Sequence, residues 1–159
     1  MTRADSPSPF GPWTDAQFDA MSWHDNHVHA LRLVEGVHGA GDLVLDIDHI
    51  VEWIGSADGT TFRIVPASLR FTDVTHLRIA LDYASAPAAM GPFSIHAIER
   101  RREPRDRYEA LLWKIVLNWP AGELAFEARG FEQHARGRAV VSTRQHLLPA
   151  ERGEVDGRS

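Results

Sequence analysis

Cysteine is absent from the 159-residue chain. That removes disulfide frameworks, thiolate zinc sites, iron–sulfur clusters and cysteine nucleophiles together. Lysine is nearly absent: Lys114 is the single one among 17 basic residues, and the others are arginines. The most apolar stretch, residues 111–119, is interrupted by Lys114 and Asn118 and is far short of a membrane span. The first residues hold no apolar run that could serve as a signal-peptide core. Excess positive charge is lacking as well. With 22 acidic residues the net charge is −5 and the pI about 6.0, which argues against nucleic acid or an anionic bilayer as partner. No Gly-rich phosphate loop and no Gly-x-Ser-x-Gly elbow occurs. The expectation is a soluble cytoplasmic protein.

What is present is ordinary globular material, 43% hydrophobic and 25% charged, in a chain of one-domain length. Residues 1–12, with Ser6-Pro7-Ser8-Pro9, read as a disordered arm, and residues 150–159 as a disordered tail. A single β domain over 13–149 remains. Thr14, followed three residues later by Gln17, predicts the start of a short N-terminal helix. Beyond Ser22 the apolar pattern has period two. Leu43, Leu45, Ile47, His49, Val51 and Trp53 alternate with Val44, Asp46, Asp48, Ile50, Glu52 and Ile54, and residues 77–83 and 111–119 behave likewise. Such alternation marks antiparallel strands that cover a core on one face.

Turn signals at 36–41, 55–59, Thr72-Asp73, 87–92, 103–106, 120–122 and 136–138 divide the chain into about eight mostly antiparallel strands. The fold class is therefore all-β, a sandwich or flattened barrel. Pro66 implies an edge strand or bulge in 62–71, because it lacks a ladder donor. The expected core face holds Leu43, Leu45, Ile47, Leu77, Ile79, Leu81, Phe93, Ile95, Trp113, Ile115, Leu117, Leu124 and Phe126. An open sheet would leave two edges, so a homodimer by edge pairing or through an exposed sheet face is expected over a monomer.

The sharpest local feature is Asp25-Asn26-His27-Val28-His29. In a strand, Asp25, His27 and His29 share a face. If 22–34 and 42–54 form a hairpin, keeping the leucines together pairs Leu33 with Leu43, Leu31 with Leu45, His29 with Ile47 and His27 with His49. Asp25, His27, His29 and His49 would then converge into a site suited to Zn, Fe or Ni. Half-buried polar groups hydrogen-bonded to backbone explain the same residues more often, and no cofactor is expected. On the other face, Asp46, Asp48 and Glu52 form an acidic row with His24 opposite Glu52 and Arg32 near Asp46. This reads as an acid–base couple or, more simply, as cross-strand ion pairs. Arg100, Arg101, Arg102, Arg105 and Arg107 form a basic loop between two strands, which reads as a site for an acidic partner or phosphate or, more simply, as a charged hairpin tip that keeps the sheet soluble.

Asp25-x-His27-x-His29 resembles the opening metal motif of amidohydrolases, but the chain lacks the length and helices of their α/β barrel. Cupins open with His-x-His too. Here the next acid, Glu35, comes too late, and Pro120-Ala121-Gly122 is not followed by their histidine. Taken together, Trp23 to His29 and the segments 42–53, 62–83, 91–100 and 118–131 resemble a bacterial family of small single-domain proteins, a domain of unknown function. The resemblance spans most of 22–148 and implies no activity or site residue. The Trp23-His24-Asp25 opening is similar to some immunity proteins of bacterial toxin systems. The leading functional expectation is a non-catalytic binding module that recognises a protein or small ligand. The alternative is a metal-dependent enzyme of β-barrel type.

Overall fold

The computed structural model describes residues 10–85 and 89–153. The described residues form nine β-strands, one 3₁₀ segment and one short α-helix. In chain order the strands are β1 (Trp13–Thr14), β2 (His27–Glu35), β3 (Gly41–Ser56), β4 (Gly59–Leu81), β5 (Phe93–Pro104), β6 (Glu109–Trp119), β7 (Gly122–Glu127), β8 (Gly130–Ala135) and β9 (Val140–Ser142), and α1 spans Pro149–Arg152. The all-β expectation holds. The N-terminal helix does not form as an α-helix: Asp15–Ala20 is a 3₁₀ segment of six residues. Its entry is stitched by the Gln17 side chain, whose Oε1 accepts the Thr14 N–H at 2.7 Å.

The strands are antiparallel, and their pairings run β4–β3–β2–β5–β6–β7 and return to β4, a closed ring of six. Closure passes through two short joins. β2 meets β5 at His27–Ser94 and Val28–Phe93, and β4 meets β7 over Thr75–Leu81. The ring therefore pairs the sheet with itself where two open edges are expected from sequence. One strand makes this possible. The 23-residue β4 has β3 along one side, while β9, β8 and β7 share the other in succession. Thr72-Asp73 is not a hairpin turn. Asp73 and His76 take positive φ of 52° and 54° there, and β4 bends from β8 onto β7. Pro66 is also not on an edge strand. It sits between Ile64, the last residue paired with β9, and Ala67, the first paired with β8, where no ladder bond asks for its missing N–H.

Leu43, Leu45, Ile47, Leu69, Phe71, Ile95, Trp113, Ile115, Leu124 and Phe126 are buried in one cluster. Phe71, Trp113, Phe126 and Phe131 interlock edge-on, with ring centroids 4.8–6.2 Å apart. Aromatic edge-to-face packing of this kind adds to the stabilisation that burial of these rings brings. Two expected core residues depart from this: Ile79 and Leu81 are 45% and 37% exposed near the end of β4. A second, smaller cluster of Ile50, Phe62, Ile64 and Leu147 lies apart from the first. Leu147 belongs to the C-terminal segment, so residues 144–152 fold back across β3. Within the expected tail, Arg152 is buried; residues 154–159, and residues 1–9 of the expected arm, lie outside the described residues. No helix among the described residues is long and apolar enough to cross a membrane.

Candidate functional site

The β2–β3 hairpin decides where the histidines go. Leu33 pairs with Leu43 and Leu31 with Leu45, as the leucine pattern predicts. Between Val28 and Ala30 the register shifts by one, so Val28 faces Ile47 and His27 faces Asp48. His29 occupies the bulge. A bulge inserts one unpaired residue and turns all that follows to the other face. The expected pairing of His27 with His49 is therefore replaced, and the four residues of the expected quartet have four different sets of side-chain partners.

His29 joins the acidic row. Its Nε2–H donates to Asp48 Oδ2 at 2.6 Å, and the same carboxylate accepts the Leu147 N–H at 2.7 Å and the Arg152 Nε–H at 2.9 Å. Arg152 also clasps Asp46 bidentately at 2.9 and 2.6 Å. Burial would push Asp48 up, but His29, the Leu147 N–H and Arg152 outweigh it and hold the carboxyl below its ordinary range. Burial prevails at Asp46, which is raised despite Arg152. Thus the partner of the acidic row is Arg152 rather than Arg32, and Glu52 pairs with Arg63 at 3.1 Å rather than with His24. His27 donates from Nδ1 to the Asp25 carbonyl and packs on His146, ring centroids 4.7 Å apart. Burial, followed by the His146 charge, lowers the His27 pKa, and burial lowers that of His146.

Asp25 takes φ of 62°, and its carboxylate accepts Asn118 Nδ2–H at 2.9 Å and Gln145 Nε2–H at 2.8 Å and lies 3.4 Å from His24 Nε2. His49 lies apart from the acidic row, edge-on to Trp13 at 5.2 Å. Among the described residues no group of three or more His, Asp or Glu could hold a metal ion.

His49 belongs instead to a cleft of about 280 Å³ lined by Trp13, Met21, Ser22, His24, Ile50 and Trp53, among others. The Trp23–His27 turn builds it from below. Asn26, fully buried, accepts the Ile50 N–H on Oδ1, so its amide NH₂ must face His49 and donates to Nδ1 at 2.8 Å. The ring proton is therefore on Nε2. Burial lowers the His49 pKa to about 4 and keeps the imidazole neutral. His24 donates from Nδ1 to the His96 carbonyl at 3.1 Å, and its ring lies within 18° of parallel to that of Trp53. Trp53 is braced edge-on by Phe62 yet half-exposed. The cleft thus offers aromatic faces, the neutral His49 imidazole with its tautomer fixed, and no Asp, Glu, Lys or Arg among its lining residues.

A larger groove of about 650 Å³ crosses β5, β6 and β7 and is rimmed by Arg78, Arg101, Arg105 and Lys114. Its charges are mostly spent internally: Arg105 on Glu103 and Glu127, Arg101 on Glu103, Lys114 on Glu123. Of the arginines of the basic hairpin tip, Arg101, Arg102 and Arg105 pair with Glu103, Glu109 and Glu127, while Arg100 pairs with Asp15 and lies over the Phe18 ring. Of the cleft's members, the sequence singles out His24 as half of an acid–base couple and His49 as a metal ligand, and places Trp53 only in the alternating run of its strand. Asn26 passed unnoticed. The available signal was the three-residue spacing of Val28 and Leu31, both apolar, inside a strand of period two.

No protein-family model matches the chain, and no curated protein matches it either.

Proposed function

We propose that the protein is a non-catalytic binding module that takes a small ligand in the cleft between the 3₁₀ segment and β3. The observation that carries this is His49: a buried imidazole in a fixed tautomer, set in an aromatic cleft by the amide of Asn26. A polar group costs free energy to bury, and its retention at a cleft wall fits recognition. The chemistry of the same residue speaks against catalysis. A general base works best with a pKa near the operating pH, usually with a carboxylate to orient it. His49 stays neutral down to about pH 4 and is oriented by an amide. Ser22 Oγ, the hydroxyl lining the cleft, accepts the His24 N–H at 3.3 Å and has no adjacent base in hydrogen-bond reach.

The metal-enzyme alternative has less support. Nε2 of His29 is engaged by Asp48 and Nδ1 of His49 by Asn26, so ligation through either nitrogen would first break a hydrogen bond. Amide spectra of ¹⁵N-labelled protein titrated with a library of neutral small molecules test the binding reading. Hits should shift Ser22, His24, His49 and Trp53 together. Shifts confined to the groove around Arg101 and Arg105, or a library without a single binder, would sink it.

A further inference from the structure

We infer that the ligand of this cleft is a neutral, planar heteroaromatic ring with a hydrogen-bond acceptor in its plane. The inference rests on the binding reading above and adds the ligand's chemical class. Three features of the cleft select it.

Charge comes first. No Asp, Glu, Lys or Arg lines the cleft. An ionised ligand entering it would lose hydration without gaining a counter-charge, a cost that a neutral ligand avoids. The nearby carboxylate, Asp25, already accepts from Asn118 and Gln145 and lies 3.4 Å from His24 Nε2. It adds to the penalty for an anion and leaves little for a cation.

Shape is the second. The His24 and Trp53 rings lie within 18° of parallel, so a flat ring set against Trp53 is also parallel to His24. Flat partners gain on such faces through offset stacking, which a puckered ring cannot match. The roughly 280 Å³ available stands at the small end of ligand pockets, where one or two fused rings fit.

The third is the donor. With Nδ1 committed to Asn26, the imidazole presents Nε2–H on its opposite side. A neutral imidazole with that proton fixed can donate but not accept there. It selects an acceptor such as a ring nitrogen or carbonyl, and discriminates against a ligand that offers only N–H.

Titration of the full chain with four probes tests this, read by calorimetry and by the ¹H–¹⁵N side-chain signals of His49. The probes are quinoline (flat, in-plane acceptor), indole (flat, donor only), quinoline-8-sulfonate (flat, anionic) and methyl α-glucoside (neutral, puckered). Quinoline should bind best and move the His49 Nε2–H resonance. Replacing His49 by Phe, which keeps a ring and removes the donor, should weaken quinoline about tenfold and leave indole within about twofold. If that variant does not fold, the wild-type His49 resonance decides alone. Preference for the glucoside or the sulfonate, with shifts at the cleft, would overturn the ligand class while leaving the binding reading in place. Equal binding of indole and quinoline would remove the donor's role and overturn the inference as well. No shift of His49 with any probe would overturn both.

Discussion

Asn26 illustrates how much one buried amide can organise. Its two ends satisfy His49 Nδ1 and the Ile50 N–H, and both partners are buried. Replacing it by Ala should leave both without their partner, at a cost of about 1–3 kcal/mol. Urea denaturation should show a lower midpoint with unchanged slope. Ligand binding should fall with it, because the freed imidazole can choose either tautomer. The residue was hard to foresee. Asn26 lies between an Asp and a His with stronger claims as chemistry, and only the turn at Asp25 sends its side chain inward. His49, by contrast, was legible as an inward-facing residue of β3 from the alternation around it. What the alternation could not tell was its company.

Among the elements, the C-terminal segment behaves as a strap. Arg152 reaches back across more than a hundred residues to Asp46 and Asp48, Leu147 fills the cluster with Ile50 and Ile64, and Gln145 holds Asp25. Removing one partner of a buried charge set leaves the others uncompensated. Arg152→Ala should therefore cost about 3–5 kcal/mol, and a second change, Asp48→Asn, should recover part of it. A double-mutant cycle by chemical denaturation measures both. Because Gln145 holds the turn that carries Asn26, amide exchange in the first variant should also rise at residues 24–27. Such long-range contacts explain why the tail reads as disordered in sequence: Arg152 stands among polar residues, and no local pattern marks its partner. The β2–β3 hairpin was half legible for a related reason. Leucines fix its open end, while the one-residue bulge at His29 reverses the faces beyond it. The same local reading took Thr72-Asp73 for a turn, because a positive-φ kink in a continuing strand draws on the same residues as a hairpin.

At the scale of the whole molecule, three imidazoles with lowered pKa tie stability to pH. The folded states of His27, His49 and His146 resist protonation, whereas the unfolded chain takes up protons near the ordinary 6.5. Their contribution is thus present above pH 6.5 and is lost as pH falls, for His49 down to about 4. Asp48, held below the carboxylate range, adds a further loss at still lower pH, while Asp15 and Asp46, raised by burial, act in the opposite sense among the carboxylates. Urea midpoints should decline between pH 7 and pH 4, with His49 alone contributing about 3 kcal/mol. The His49→Phe variant should show a clearly flatter decline. A profile as steep as the wild type's would mean that His49 is not buried neutral.

The long β4 strand has a consequence in time. One of its sides is paired by β3 soon after synthesis, but the other waits for β7, β8 and β9, which lie forty to eighty residues downstream. During translation the middle of the chain therefore carries an unfinished edge, with Phe71 and Leu69 beside it, until nearly the last strand has left the ribosome. Folding that depends on distant pairings is slow, in the millisecond-to-second range for β proteins of high contact order. A chain released before residue 130, and so without β8, would hold that edge open for good and be the form most prone to pair with a neighbour.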